Sequence, residues 1–139
     1  MRVTQTPLDP DELIALVERQ TAEAQERAIV AQRFADDVAS LRSESRSPKG
    51  EVTLDVDTSG RLTSLHLADS ALDLSAAELS ALILATAATA QKRVARAAVA
   101  LSEEVFGPDD GVVGQLRGEF EARVGALDED DEAGPGVRW

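Results

Sequence analysis

Residues 50–67, GEVTLDVDTSGRLTSLHL, constrain the fold more than any other stretch. Val52, Leu54 and Val56 alternate with Glu51, Thr53, Asp55 and Asp57, the period of two that marks a strand with one buried face. Asp57-Thr58-Ser59-Gly60 reads as a turn, because Asp and Ser side chains bond nearby backbone and Gly accepts a positive φ. Leu62, Leu65 and Leu67 mark a second strand, and their broken alternation places a bulge near Thr63 or Ser64. A lone hairpin is marginal in water. Its apolar face therefore needs a cover, and a long helical pattern lies on each side of it.

Asp9-Pro10-Asp11-Glu12 opens the first helix: Asp9 suits the cap, Pro10 the first helical position, and Glu12 the reciprocal place in a capping box. Helical spacing of Leu13, Leu16, Val17, Ala24, Ala28, Ala31, Ala35 and Val38 carries it to about Leu41. Ile14, Ile29, Val30 and Phe34 form a second strip, as expected of a helix that packs on its own sheet and on another helix. Its polar face mixes Arg19, Arg27 and Arg33 with many acids, and a solvated face is the simplest reading. Arg42 to Lys49 is either a linker or a polar edge strand turning at Pro48-Lys49-Gly50, and the edge strand is favoured.

After the hairpin, Ser75 and Glu78 form a capping box for a second helix that stops at Gly107-Pro108. Leu79, Leu82, Ile83, Ala87, Ala90, Val94, Ala98 and Leu101 mark one face, and Leu84, Ala85, Ala88, Ala95 and Val99 a smooth second strip that favours self-association. Its basic cluster is Lys92, Arg93 and Arg96. A short third helix is predicted over 112–125, although Gly114 and Gly118 weaken it. Asp128–Glu132 and Gly134-Pro135-Gly136 read as a disordered tail. The predicted organisation is a mobile arm over 1–8, an α+β domain over 9–106 and an acidic extension over 107–139. The domain holds a long helix, a three-stranded antiparallel sheet and a second long helix.

Composition narrows the function. The net charge is −12, and the nine acids and three bases from Gly107 to Trp139 supply half of it. Acidity opposes the phosphate attraction on which non-specific DNA affinity rests, so the placement of charge matters more than its sum. The absence of Cys excludes disulfides and thiolate chemistry. The first residues lack the apolar core of a signal peptide, and no apolar run approaches the ~20 residues of a membrane span. A cytoplasmic protein with no membrane partner is expected. Twelve Arg against two Lys fit a GC-rich genome.

Candidate chemistry is sparse. His66 stands alone, no Ser lies in a nucleophile-elbow motif, and no glycine-rich phosphate loop is present. Asp55 and Asp57 share a strand face, where solvation explains them more simply than cation binding. No catalytic, cofactor or metal residue is assigned, and the chain is not expected to be an enzyme. Lys92, Arg93 and Arg96 have two readings: charge balance in the later turns of a helix, or a phosphate-contacting patch doubled by dimer symmetry.

The order of these elements, with Gly50–Leu67 followed by Leu79-x-x-Leu82-Ile83 and Ala90-Gln91-Lys92-Arg93-Val94, resembles the YbaB/EbfC family of bacterial nucleoid-associated proteins. The likeness covers Leu13 to Val105, in an acidic chain of actinobacterial type. It implies an α-β-β-β-α homodimer, located in the nucleoid, that binds DNA with little sequence specificity. It implies phosphate contacts at Lys92, Arg93 and Arg96, with Arg19, Arg27 and Arg33 as further candidates. The acidic extension and acid-rich first helix depart from the family pattern and keep an alternative open. That alternative is a dimeric protein-interaction module with the same fold, associated for example with a specialised secretion system, with a protein partner in place of DNA.

Overall fold

The computed structural model describes residues 9–127 and Val137–Arg138. The expected mobile arm over 1–8, the acidic run Asp128–Glu132 and Gly134-Pro135-Gly136 lie outside the described residues. The chain divides into two compact units, Met1–Arg33 and Phe34–Trp139, with the division inside the first helix.

That helix, α1, spans Pro10–Ser40. Asp11 and Glu12 occupy its first turn, where negative charge suits the helix dipole. Arg42 closes the other end: its Nη1 donates at 2.9 Å to the carbonyl of Ala39, an acceptor the helix leaves without a partner, and at 2.7 Å to that of Leu41 just beyond it. No residue of α1 is buried. Leu13, Ile14 and Val17 are 49%, 56% and 51% exposed. Within the second unit the sheet takes its cover from the second helix.

β1 (Arg42–Arg46), β2 (Val52–Asp57) and β3 (Leu62–Leu67) form the predicted three-stranded antiparallel sheet of an α+β fold. A two-residue strand, β4 (Val137–Arg138), lies beyond β1 and pairs with Arg42 and Ser43, giving the order β3-β2-β1-β4. In β1 only Glu44 to Arg46 therefore keep an edge position among the described residues. Asp55 pairs with Ser64 but Val56 with Leu62, so Thr63 is the extra residue of a bulge, where the broken alternation placed it.

The β2–β3 turn is built by Asp57. Its Oδ1 accepts from the Ser59 amide at 3.0 Å, the Ser59 hydroxyl at 2.6 Å and the Arg61 amide at 3.0 Å. Gly60 sits at φ +87°, a conformation that side chains disfavour. Gln91 reaches across from the second helix, and its Nε2 donates to the Gly60 carbonyl at 3.0 Å.

A short 3-10 turn, Asp69–Asp73, leads to α2 (Ala76–Phe106). The predicted capping box is present: Ser75 Oγ accepts from the Glu78 amide, and Glu78 Oε1 from the Ser75 amide. The helix ends at Gly107, whose φ is +91°. α2 packs on β1 and β2, and its Ala87, Ala90, Val94, Ala95 and Ala98 meet Leu41, Val52, Leu54 and Val56 in the core. Alanines let the helix approach the sheet closely. β3 lies outside this cover: Leu65 faces the same way as buried Leu54 yet is 48% exposed.

α3 (Gly111–Val124) begins at Asp110, whose Oδ1 accepts from the Val112 amide at 2.9 Å. It packs on α2 through buried Val113 and Phe120, and Leu127 follows them into the core.

Candidate nucleic-acid interface

The six sequence candidates fall in different places. Arg19, Arg27 and Arg33 belong to the first unit and are exposed on α1. Lys92, Arg93 and Arg96 are half-buried on α2, in the second unit. Helical geometry keeps the trio on one broad face, with Arg96 at i+4 from Lys92 and i+3 from Arg93, but the side chains of Arg93 and Arg96 take different partners.

Arg93 turns towards β1. Its Nη1 lies 3.4 Å from the Glu44 carbonyl, and its Nε is buried with no hydrogen-bond partner among the described residues. Arg96 turns towards the end of α3, where its Nε donates to the Leu127 carbonyl at 2.9 Å. Glu121 Oε2 accepts from the Leu127 amide, so this backbone is gripped from two sides. Arg96, Glu103 and Arg117 line a cavity of about 180 Å³ there, and Arg117 lies 3.6 Å from Glu103.

Two cations that sequence reasoning passed over also matter. Arg123 of α3 stacks 4.8 Å above the Phe120 ring and reaches the Ser59 carbonyl at 3.4 Å, beside the β2–β3 turn. Arg46, the last residue of β1, is exposed opposite Thr53, and its guanidinium lies beside Gly50 of the β1–β2 turn. The signal for Arg46 was its basic end in Arg42-Ser-Glu-Ser-Arg46, but only the β1–β2 pairing places it over the turn.

Three carboxyls are held below their usual range. Glu51 is lowered by its own amide, against the cost of burial, with help from the Ser47 hydroxyl and nearby Lys49. Burial raises Asp57, but the Ser59 hydroxyl and the amides of Arg61 and Ser59 outweigh it. Glu78 is lowered by the Ser75 amide and hydroxyl of the capping box. Each makes structural hydrogen bonds. His66 is exposed opposite Thr53 on β3. Among the described residues no group of three His, Asp or Glu could hold a metal ion, and no helix is long and apolar enough to cross a membrane.

A long helix, a small antiparallel sheet and a second long helix bearing basic residues define an α-β-β-β-α class of chain. Residues 12–108 match the YbaB/EbfC DNA-binding family, and the chain belongs to that family. Among solved structures it is similar to the uncharacterized protein HP0035 from Helicobacter pylori, at 18% identity and a TM-score of 0.47, covering 73% of this chain and 100% of that one. No curated protein matches it.

Proposed function

We propose that the chain is a nucleoid-associated homodimer that binds duplex DNA with little sequence specificity and has no catalytic activity. The family match over 12–108 carries this reading, since it spans the whole helix–sheet–helix body. Lys92, Arg93 and Arg96 are proposed as the main phosphate contacts, with Arg19, Arg27 and Arg33 on α1 as secondary ones. The apolar residues left open on α1 and β3 support the dimer, because a soluble chain rarely leaves such a stripe without a partner.

The test is a titration of the full chain against a mixed-sequence duplex at two salt concentrations. Affinity should fall steeply with salt, and the triple change Lys92→Glu, Arg93→Glu, Arg96→Glu should abolish it. Affinity untouched by the triple change would remove the site assignment. A net charge of −12 and an Arg96 already engaged by Leu127 favour a second reading, a dimeric module that binds a protein partner. Absence of DNA binding at low salt, with a stable protein partner recovered from nuclease-treated extract, would select it.

A further inference from the structure

Arg96 is one of the cations assigned above to phosphate, yet in this fold its Nε already serves an acceptor. It donates at 2.9 Å to the carbonyl of Leu127, a core residue only 5% exposed. Leu127 is brought there by α3. Glu121 of that helix accepts from the Leu127 amide at 3.1 Å, and buried Val113 and Phe120 fix the helix to α2. Both α3 and Leu127 lie beyond residues 12–108, the part that matches the family. A segment outside the matched body therefore holds a cation of that body.

Three features make the hold releasable. Gly114 and Gly118 lie inside α3, where glycine lowers helix stability. The seam between α3 and α2 is incompletely filled: a cavity of about 180 Å³ lies beside Arg96 and Leu127, and one of about 140 Å³ beside Gln91 and Phe120. Unfilled space forfeits dispersion contacts, so such a seam parts more readily than a close-packed one. The ion pair across it, Arg117 with Glu103 at 3.6 Å, is open to solvent on both sides and adds little.

The contact also works against a polyanion. While the Arg96 Nε–H points at the Leu127 carbonyl, it cannot point at a phosphate oxygen, and the paired fork of a guanidinium on phosphate is lost. Asp128 to Glu132 follow Leu127 directly in the sequence, so five carboxyls are tethered at the basic turn of α2. Only their point of attachment lies within the described residues. Like charge held there repels the DNA backbone.

We propose that α3 and Leu127 form an autoinhibitory clasp on α2, which withholds Arg96 from DNA until it opens. The inference deepens the DNA-binding reading above and rests on it. Opening parts α3 from α2, frees the Arg96 Nε–H and carries the acidic run away with Leu127. An open fraction of about one in ten makes the apparent affinity about tenfold weaker than that of the open form.

Two measurements on the full chain test it. The first needs no DNA and follows exchange of the Arg96 Nε–H with water by NMR. Exchange should be slow in the wild type and faster in Phe120→Ala and Glu121→Ala. It should be slower still in Gly118→Ala, because a Cβ there meets nothing within 4 Å and strengthens α3. The second is affinity for a mixed-sequence duplex at several salt concentrations. Phe120→Ala should bind about tenfold tighter, with a salt slope steeper by about 1. Glu121→Ala should shift affinity the same way and Gly118→Ala the opposite way. Glu119→Ala is the control, since it removes one charge from an exposed position of the same helix and leaves Leu127 held. Glu121→Ala keeps the test open should Phe120→Ala not fold.

Fast Arg96 Nε–H exchange in the wild type would overturn the clasp. Exchange that follows the variants while all of them bind DNA as the wild type does would overturn its inhibitory role and leave the DNA reading intact. An equal gain in Glu119→Ala and Glu121→Ala would reduce the effect to net charge and overturn it as well. Absence of DNA binding in every form, clasp-opened variants included, would refute the DNA reading itself and the regulation with it.

Discussion

Asp57 shows how much one side chain can organise. A single carboxylate oxygen takes three hydrogen bonds and so defines the turn that joins the two longest strands. Asp57→Ala leaves these donors without an acceptor and should cost about 1–3 kcal/mol, measured by urea unfolding. The pH dependence has a definite sign. Asp57, Glu51 and Glu78 all have folded values below their ordinary 3.8, 4.5 and 4.5. Their contribution is complete above those ordinary values and is lost as pH falls through the lowered ones. The thermal midpoint should therefore drop on acidification below about pH 4.5, and Asp57→Ala should lose part of that dependence. The turn and the capping box were legible in the sequence because their chemistry spans only a few residues. The reach of Arg93 to the Glu44 carbonyl was not, because 49 positions separate them and only tertiary packing brings them together.

Among the elements, α3 is the one whose sequence argues against itself. Gly114 and Gly118 lie in its interior, where glycine costs about 1 kcal/mol relative to alanine. Packing overrides this, because Val113 and Phe120 are buried against α2 and Leu127 is tied by Arg96. A Cβ at either glycine would meet nothing within 4 Å. Gly114→Ala and Gly118→Ala should thus each stabilise α3 by about 0.5–1 kcal/mol, seen as slower amide exchange over 111–124. Phe120→Ala should do the reverse and cost about 3–5 kcal/mol of docking, with exchange protection lost in α3 first. Unchanged protection in that variant would contradict the packing described. α1 is the opposite case: its span was legible from spacing and its start signal, but its environment was not. The apolar strips state that the helix wants a neighbour without saying which chain supplies it.

At the scale of the whole molecule, that missing neighbour is the main question. Leu13, Ile14 and Val17 cluster within two turns of α1, and each is about half exposed. Covering the exposed half of one such side chain is worth roughly half the 1.5–3 kcal/mol of full burial, so a symmetric contact that uses the cluster twice favours association. None of these residues is fully buried in the single chain, which separates assembly from folding. Light scattering should return the mass of two chains for the wild type. Leu13→Glu with Val17→Glu should leave the circular dichroism spectrum and the unfolding midpoint of the dilute chain unchanged while weakening self-association at least about tenfold. A two-chain mass that survives the double change would move the contact away from α1, towards the β3 edge, where Leu62, Leu65 and Leu67 are also open. A one-chain mass for the wild type would leave both apolar surfaces for a different partner. The protein-interaction reading would then gain over the homodimer, since acidic chains that stay monomeric lack the doubled basic patch that offsets their long-range repulsion of DNA.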